Sequence, residues 1–92
     1  MEPDADCQRL DKWVWHARLV RTRNMAAELV RSGHVRLNGV RQTAPGHVVK
    51  TSDVVTVALH SRVRVLRVVG FAPRRGDAGA ARATYDELEV ES

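Results

Sequence analysis

The spacing of hydrophobic residues changes period once along the chain, and the change falls at Gly33. Before it, Leu10, Trp13, Val14 and Ala17 recur at i, i+3, i+4 and i+7, one amphipathic helical stripe that begins near Gln8. A break follows at Arg21 and Thr22, and the Thr22 hydroxyl can cap a second helix by accepting from the free amides of its first turn. That helix is predicted over 23–32, with Met25, Ala26, Leu29 and Val30 apolar, and Gly33 stops it as a left-handed residue. After Gly33 the period is two. Val35-Arg36-Leu37 leads into Asn38-Gly39, a pair that tolerates positive φ and closes a hairpin onto Val40-Arg41. Short strands are predicted over 47–50 and 54–59, and 62–71 reads as a last strand, bulged where the alternation slips at Leu66. Helices grouped before strands imply an α+β domain: two N-terminal helices packed on a small antiparallel sheet of three to five short strands.

Three segments follow from this reading. Residues 1–7 form a disordered acidic tail, 8–71 the folded domain, and 72–92 a flexible loop with a short acidic C-terminal segment. Within the last, Thr84 to Leu88 fits a short helix or a strand. No apolar stretch is long enough to span a membrane, and the opening MEPDADC lacks the apolar region of a secretory signal. A single cysteine, Cys7, excludes an intrachain disulfide framework and a cysteine-based zinc cluster. His16, His34, His47 and His60 lack metal-ligand spacing, and no Ser, His and Asp are arranged as a catalytic triad, so neither cofactor nor catalysis is expected. These features describe a soluble cytoplasmic domain that is not an enzyme.

Charge is segregated. Residues 1–7 carry Glu2, Asp4 and Asp6 and no base, and residues 83–92 carry Asp86, Glu87, Glu89 and Glu91 and no base. All fifteen basic residues lie between, against only Asp11, Glu28, Asp53 and Asp77, a net charge of +11 over residues 8–82. Thirteen of the fifteen are Arg; a high-GC genome would explain most of that ratio, but not the segregation of charge. A basic centre with acidic ends is the footprint of an anion binder, most often of nucleic acid. Arg9, Lys12 and His16 recur on one face of the first helix, Arg21 and Arg23 mark the helix junction, and His34, Arg36 and Arg41 decorate the hairpin. If the helix pair packs on the sheet, these residues line one rim. Thr22, Asn24 and the free amides of the second helix can donate to a phosphate. Arg18, Arg31 and Asn38 complete the candidate set, Asn38 serving the turn first. Asp11 is expected to orient a neighbouring base. Trp13 belongs to the core stripe, whereas Trp15 either packs against the segment around Tyr85 or stacks on a base.

Read in order, Arg9-Leu10-Asp11-Lys12-Trp13-Val14-Trp15, Ala17-Arg18, Thr22-Arg23, Ala26, Gly33-His34-Val35 and Asn38-Gly39-x-Arg41 resemble an S4 RNA-binding domain. The RLDKW-x-W opening is similar to that of stand-alone S4 proteins of the bacterial heat-shock protein 15 type. The likeness covers residues 9 to about 59, with an echo at Arg74-Arg75-Gly76 and Tyr85-Asp86-Glu87. It implies a non-catalytic, cytoplasmic protein, monomeric when free and not bound to membranes. Such a protein binds ribosomal RNA of large ribosomal subunits that carry stalled peptidyl-tRNA, and touches the tRNA. A general RNA chaperone or regulatory module is the alternative, and an enzyme-targeting module a third. Asn24 stands where many S4 domains have Ser, and Ser52 precedes Asp53 where Gly is usual. The chain also ends at Ser92, without the long basic extension of longer relatives.

Overall fold

Thr22 and Gly33 bound the second helix as their chemistry requires. Thr22 is extended (φ −131°, ψ 158°) and its Oγ1 accepts from the Met25 amide, while Gly33 takes φ 84° beyond the helix end. A computed structural model describes residues 7–60, 62–72 and 76–88. Its elements are β1 (Cys7–Arg9), α1 (Leu10–His16), α2 (Arg23–Arg31), β2 (Val35–Leu37) and β3 (Val40–Arg41). They continue with β4 (Val48–Lys50), β5 (Val54–Ala58), β6 (Val63–Val68), α3 (Ala78–Arg82) and β7 (Tyr85–Leu88). Five antiparallel strands run β3-β2-β5-β6-β7, and β1 pairs separately with β4. The α+β class is therefore as expected.

The helix pair covers one face of the sheet. Leu10, Trp13 and Val14 of α1 and Ala26 and Val30 of α2 pack with Val35, Leu37, Val55, Val57, Leu66 and Val68 of the sheet, and Val49 of β4 joins them. Burying these apolar side chains is the main drive for folding. Asn38 and Gly39 take φ 52° and 85° at the β2–β3 turn. A Cβ at Gly39 would meet nothing within 4 Å, so any penalty for a side chain there is conformational. Gly39→Val is expected to cost about 1–2 kcal/mol, because a β-branched residue resists positive φ. A thermal melt should fall by roughly 5–10 °C, and an unchanged melt would show that this turn tolerates another conformation.

The structure corrects the sequence reading in three places. The first helix begins at Leu10 rather than Gln8, because Cys7–Arg9 forms a strand against Val48–Lys50, so Cys7 does not belong to a tail. Residues 1–6 lie outside the described residues. Next, β6 carries no bulge: it pairs with β5 residue for residue, from Val54–Arg67 to Ala58–Val63. The alternation reads as slipped because an arginine, Arg64, shares the inner face with Leu66 and Val68, while Val63 and Val65 face outward. Arg64 can sit there because its Nε and Nη2 donate to the Glu87 carboxylate at 2.8 and 2.7 Å and its guanidinium lies 5.7 Å from the Tyr85 ring centre. This pairing holds the Glu87 carboxyl below its ordinary range, chiefly through the Arg64 hydrogen bonds. Finally, the 72–92 segment is not a loop throughout. Asp77 caps α3 by accepting from the Ala80 amide, and β7 adds a fifth strand to the sheet, which resolves the Thr84–Leu88 alternative as a strand.

Candidate nucleic-acid interface

Asp11 lies in the first turn of α1, where a carboxylate suits the positive end of the helix. Its side chain is only 5% exposed, yet the two arginines it holds face solvent. Arg9 donates from Nε and Nη2 to Oδ1 and Oδ2, both at 3.1 Å, and Arg23 Nη2 stands 3.7 Å from Oδ1. The hydrogen bonds and charge of Asp11 raise the Arg9 pKa above its ordinary value. A buried anion beneath two outward guanidiniums fixes their spacing before any ligand arrives, as the expectation for Asp11 requires. Gly46 flanks the group: a Cβ there would sit 3.5 Å from the Arg9 guanidinium. The β1–β4 pairing and the bonds from the Leu10 and Asp11 amides to the His47 and Pro45 carbonyls bring that loop against the helix start. Lys12 is half-buried beside Asp11 and pairs with no carboxylate among the described residues. Arg21, Thr22 and Asn24 are exposed around the start of α2, so Arg21 and Arg23 stand at a helix N-terminus whose Met25 amide is capped by Thr22.

His34, Arg36 and Arg41 form a second group at the far end of α2, about 13 Å away by helix rise. Arg36 and Arg41 face each other across the hairpin, and the Arg41 side chain lies over Gly33, whose hypothetical Cβ would approach it to 3.4 Å. Neither arginine meets a carboxylate among the described residues. Like charges placed directly opposite are unfavourable until an anion lies between or over them. His34 is exposed, with Nδ1 2.8 Å from Ser32 Oγ. A groove of about 490 Å³ runs between this group and Thr56, Ala58 and Val63. The single rim expected from sequence is thus two basic groups joined by α2.

Two candidates, His16 and Asn38, are taken up by the fold; Arg18 and Arg31 stay exposed, Arg18 apart from the Asp11 group and Arg31 paired with Glu28. His16 is 1% exposed, with Nδ1 3.1 Å from the Ala72 carbonyl oxygen. Arg9 is an extended cap residue (φ −61°, ψ 144°), not a helical one, so the Arg9-Lys12-His16 stripe does not exist, and the chain leaving β6 covers the His16 ring. Arg18 ends α1 in a left-handed conformation and donates to the Gly76 carbonyl, away from the Asp11 group. Arg31 pairs with Glu28 on the exposed face of α2. Asn38 is taken up by the fold: Nδ2 donates to Asp53 Oδ1 and Oδ1 accepts from the Val54 amide. Trp15 is partly buried and packs against the core with its indole nitrogen covered. The approach of Gly46 to Arg9 is not visible in the sequence, since it is set by strand pairing rather than by neighbours in the chain. The Arg74-Arg75 echo lies outside the described residues.

A helix pair on a small antiparallel sheet, carrying clustered arginines around a helix start and a hairpin, defines a small basic RNA-binding domain. The S4 domain matches residues 8–55, more than half of the chain, and the chain belongs to that family. It is similar to the heat shock protein 15 homolog of Aeromonas salmonicida, 36% identical over 89% of this chain and 61% of that protein. It is also similar to the small ribosomal subunit protein uS4 of Mycobacterium avium, 42% identical over 77% of this chain and 33% of the relative. The solved trimeric structure of Vibrio cholerae heat shock protein 15 superposes with a TM-score of 0.84 at 30% identity, covering 90% of this chain and 83% of that one. The chain spans about three fifths of the length of the curated heat shock protein 15 relative it matches. No described helix is long and apolar enough to cross a membrane.

Proposed function

We propose that this chain is a non-catalytic cytoplasmic protein that docks on ribosomal RNA of large subunits carrying stalled peptidyl-tRNA. The observation that carries the RNA-facing part is the Asp11 group, two exposed guanidiniums held by one buried carboxylate beside the start of α2. Such a surface grips a phosphate track, and folded RNA is recognised mainly through backbone shape and phosphate contacts. The choice of the large subunit rests on the likeness to heat shock protein 15.

Sucrose-gradient sedimentation of lysate, with and without translational stalling, tests it. The protein should travel with free large subunits and more of it should do so on stalling. Arg23→Ala and Lys12→Ala should shift it toward the top of the gradient without lowering the melting temperature by more than about 1 °C, because both side chains reach solvent. Cosedimentation with small subunits would instead favour the likeness to uS4, and protein confined to the top in both conditions would favour an RNA-binding module unconnected with the ribosome.

A further inference from the structure

We propose that a notch between the end of α1 and the α3–β7 segment is a second phosphate site, which would extend the RNA track past the far end of α1; the inference rests on the RNA-binding reading. The notch measures about 260 Å³ and is lined by Arg18, Arg64 and Arg82, with Tyr85 and Ala81. Three arginines from three elements converge on it. Arg64 is the fixed one, bound through Nε and Nη2 to Glu87, with Nη2 3.4 Å from the Tyr85 hydroxyl. Arg62 approaches the same carboxylate at 3.7 Å, so the charge of Glu87 is more than matched. The nearby Asp77 carboxylate is engaged in capping α3. Arg18 and Arg82 differ from Arg9, Arg23, Arg31, Arg62 and Arg64, each of which meets a carboxylate: these two meet none among the described residues. Two cations therefore face the notch without a carboxylate partner among the described residues.

Arg18 adds an independent observation. It occupies φ 61° at the residue after the α1 cap, a conformation that Gly adopts without strain and Arg does not. Its side chain is aimed by one bond, Nη1 to the Gly76 carbonyl at 2.8 Å, which leaves Nε and Nη2 to donate elsewhere. An arginine fork aimed by a single bond and set beside a second unpaired arginine suits the oxygens of a backbone phosphate.

The test measures binding of the full chain to purified bacterial large-subunit ribosomal RNA across a potassium chloride series. Arg18→Gly removes the charge while relieving the positive φ, so the variant should melt no lower than the parent. Arg82→Gln alters an exposed residue and provides a second variant. Each is expected to weaken binding about threefold or more at low salt and to reduce the log–log salt slope by about 0.7–0.9, the value for one lost phosphate contact. Arg23→Ala is the reference. Should both notch variants match the parent in affinity and slope while Arg23→Ala falls, the notch is not part of the RNA track and the proposal is overturned. Should Arg23→Ala also match the parent, the RNA-binding reading fails, and the notch proposal with it.

Discussion

A chain ending at Phe71 is expected to unfold at a lower temperature and over a broader transition. That boundary is where the sequence reading ends the folded domain, yet much of what closes the core comes afterwards. β7 pairs with β6 from Val65–Leu88 to Val68–Tyr85, so its loss turns β6 into an exposed edge beneath Leu66 and Val68. Ala81 and Thr84 are 3% and 2% exposed, and Tyr85 packs against the core cluster. The Thr84 carbonyl accepts from the amides of Val69 and Gly70 at 3.0 and 3.3 Å, anchoring the chain as it leaves the sheet. Removing Ala72 strips the acceptor from Gln8 Nε2 and the carbonyl partner from the buried His16 ring. Counting the lost apolar burial and orphaned polar groups gives roughly 4–6 kcal/mol. A domain of this size has about 5–14 kcal/mol in all, so the truncation removes roughly a third or more of that stability and should lower and broaden the thermal transition. Circular dichroism melts would show it, with a chain ending at Leu88 as control because that chain keeps every described pairing. A truncated protein that melts with the control would mean that β7 only decorates the sheet.

The C-terminal segment carries no periodic signal for a physical reason. Leu10, Trp13, Val14 and Ala17, or Val55 and Val57, announce themselves because each element buries a face against a large partner. α3 is one and a half turns of Ala, Gly and Arg, and only Ala81 of it is buried, so no stripe can form. β7 reads Tyr-Asp-Glu-Leu because only Tyr85 of its inner face packs against the core, while Glu87 there meets Arg64. An ion pair across strands leaves a pattern opposite to the one by which strands are recognised, and it disguised Arg64 in the same way. The turns were legible for the converse reason. Thr22, Gly33, Asn38 and Gly39 are selected by backbone geometry that their own residue types disclose. Ser52 is a partial exception: it takes φ 81° where glycine would be expected, held by its N–H donating to the Val68 carbonyl and by Asp53 accepting from the Lys50 amide. In the candidate site, residue identity revealed which side chains are cationic. It could not show which would be turned inward, as His16 is, or used by the fold, as Asn38 is. Those outcomes depend on the path of residues 45–47, 53–54 and 70–72, far away in the chain.

Asp11→Asn is expected to weaken binding to structured ribosomal RNA about tenfold, although it makes the interface more positive by one charge. Two effects oppose each other. Long-range attraction to phosphates should rise, since a carboxylate has been removed from among cations. Preorganisation should fall. The asparagine keeps the shape of Asp11 but offers one oxygen acceptor, and its amide N–H₂ is turned against an arginine that can only donate. Arg9 then loses one of its two 3.1 Å bonds, and Arg23 loses the counter-charge that lets it stand close to Arg9. The charge gain acts at exposed, screened distances, whereas the lost bonds are short and end on a carboxylate only 5% exposed. The geometric loss should therefore dominate, giving the fall of about tenfold, because the bonds to Asp11 set where both guanidiniums point while the added charge is spread over an already basic surface. The same variant should bind unstructured poly(U) no more weakly than the parent, because a flexible strand adapts to scattered cations and responds to net charge. The ratio of the two affinities is the informative quantity, measured well below the melting temperature so that the smaller loss from the α1 start does not intrude. If affinity for both RNAs rises together, Asp11 is merely a repulsive charge in a diffuse basic surface. If binding to the structured RNA falls while poly(U) holds, the buried carboxylate is what converts two flexible arginines into a site.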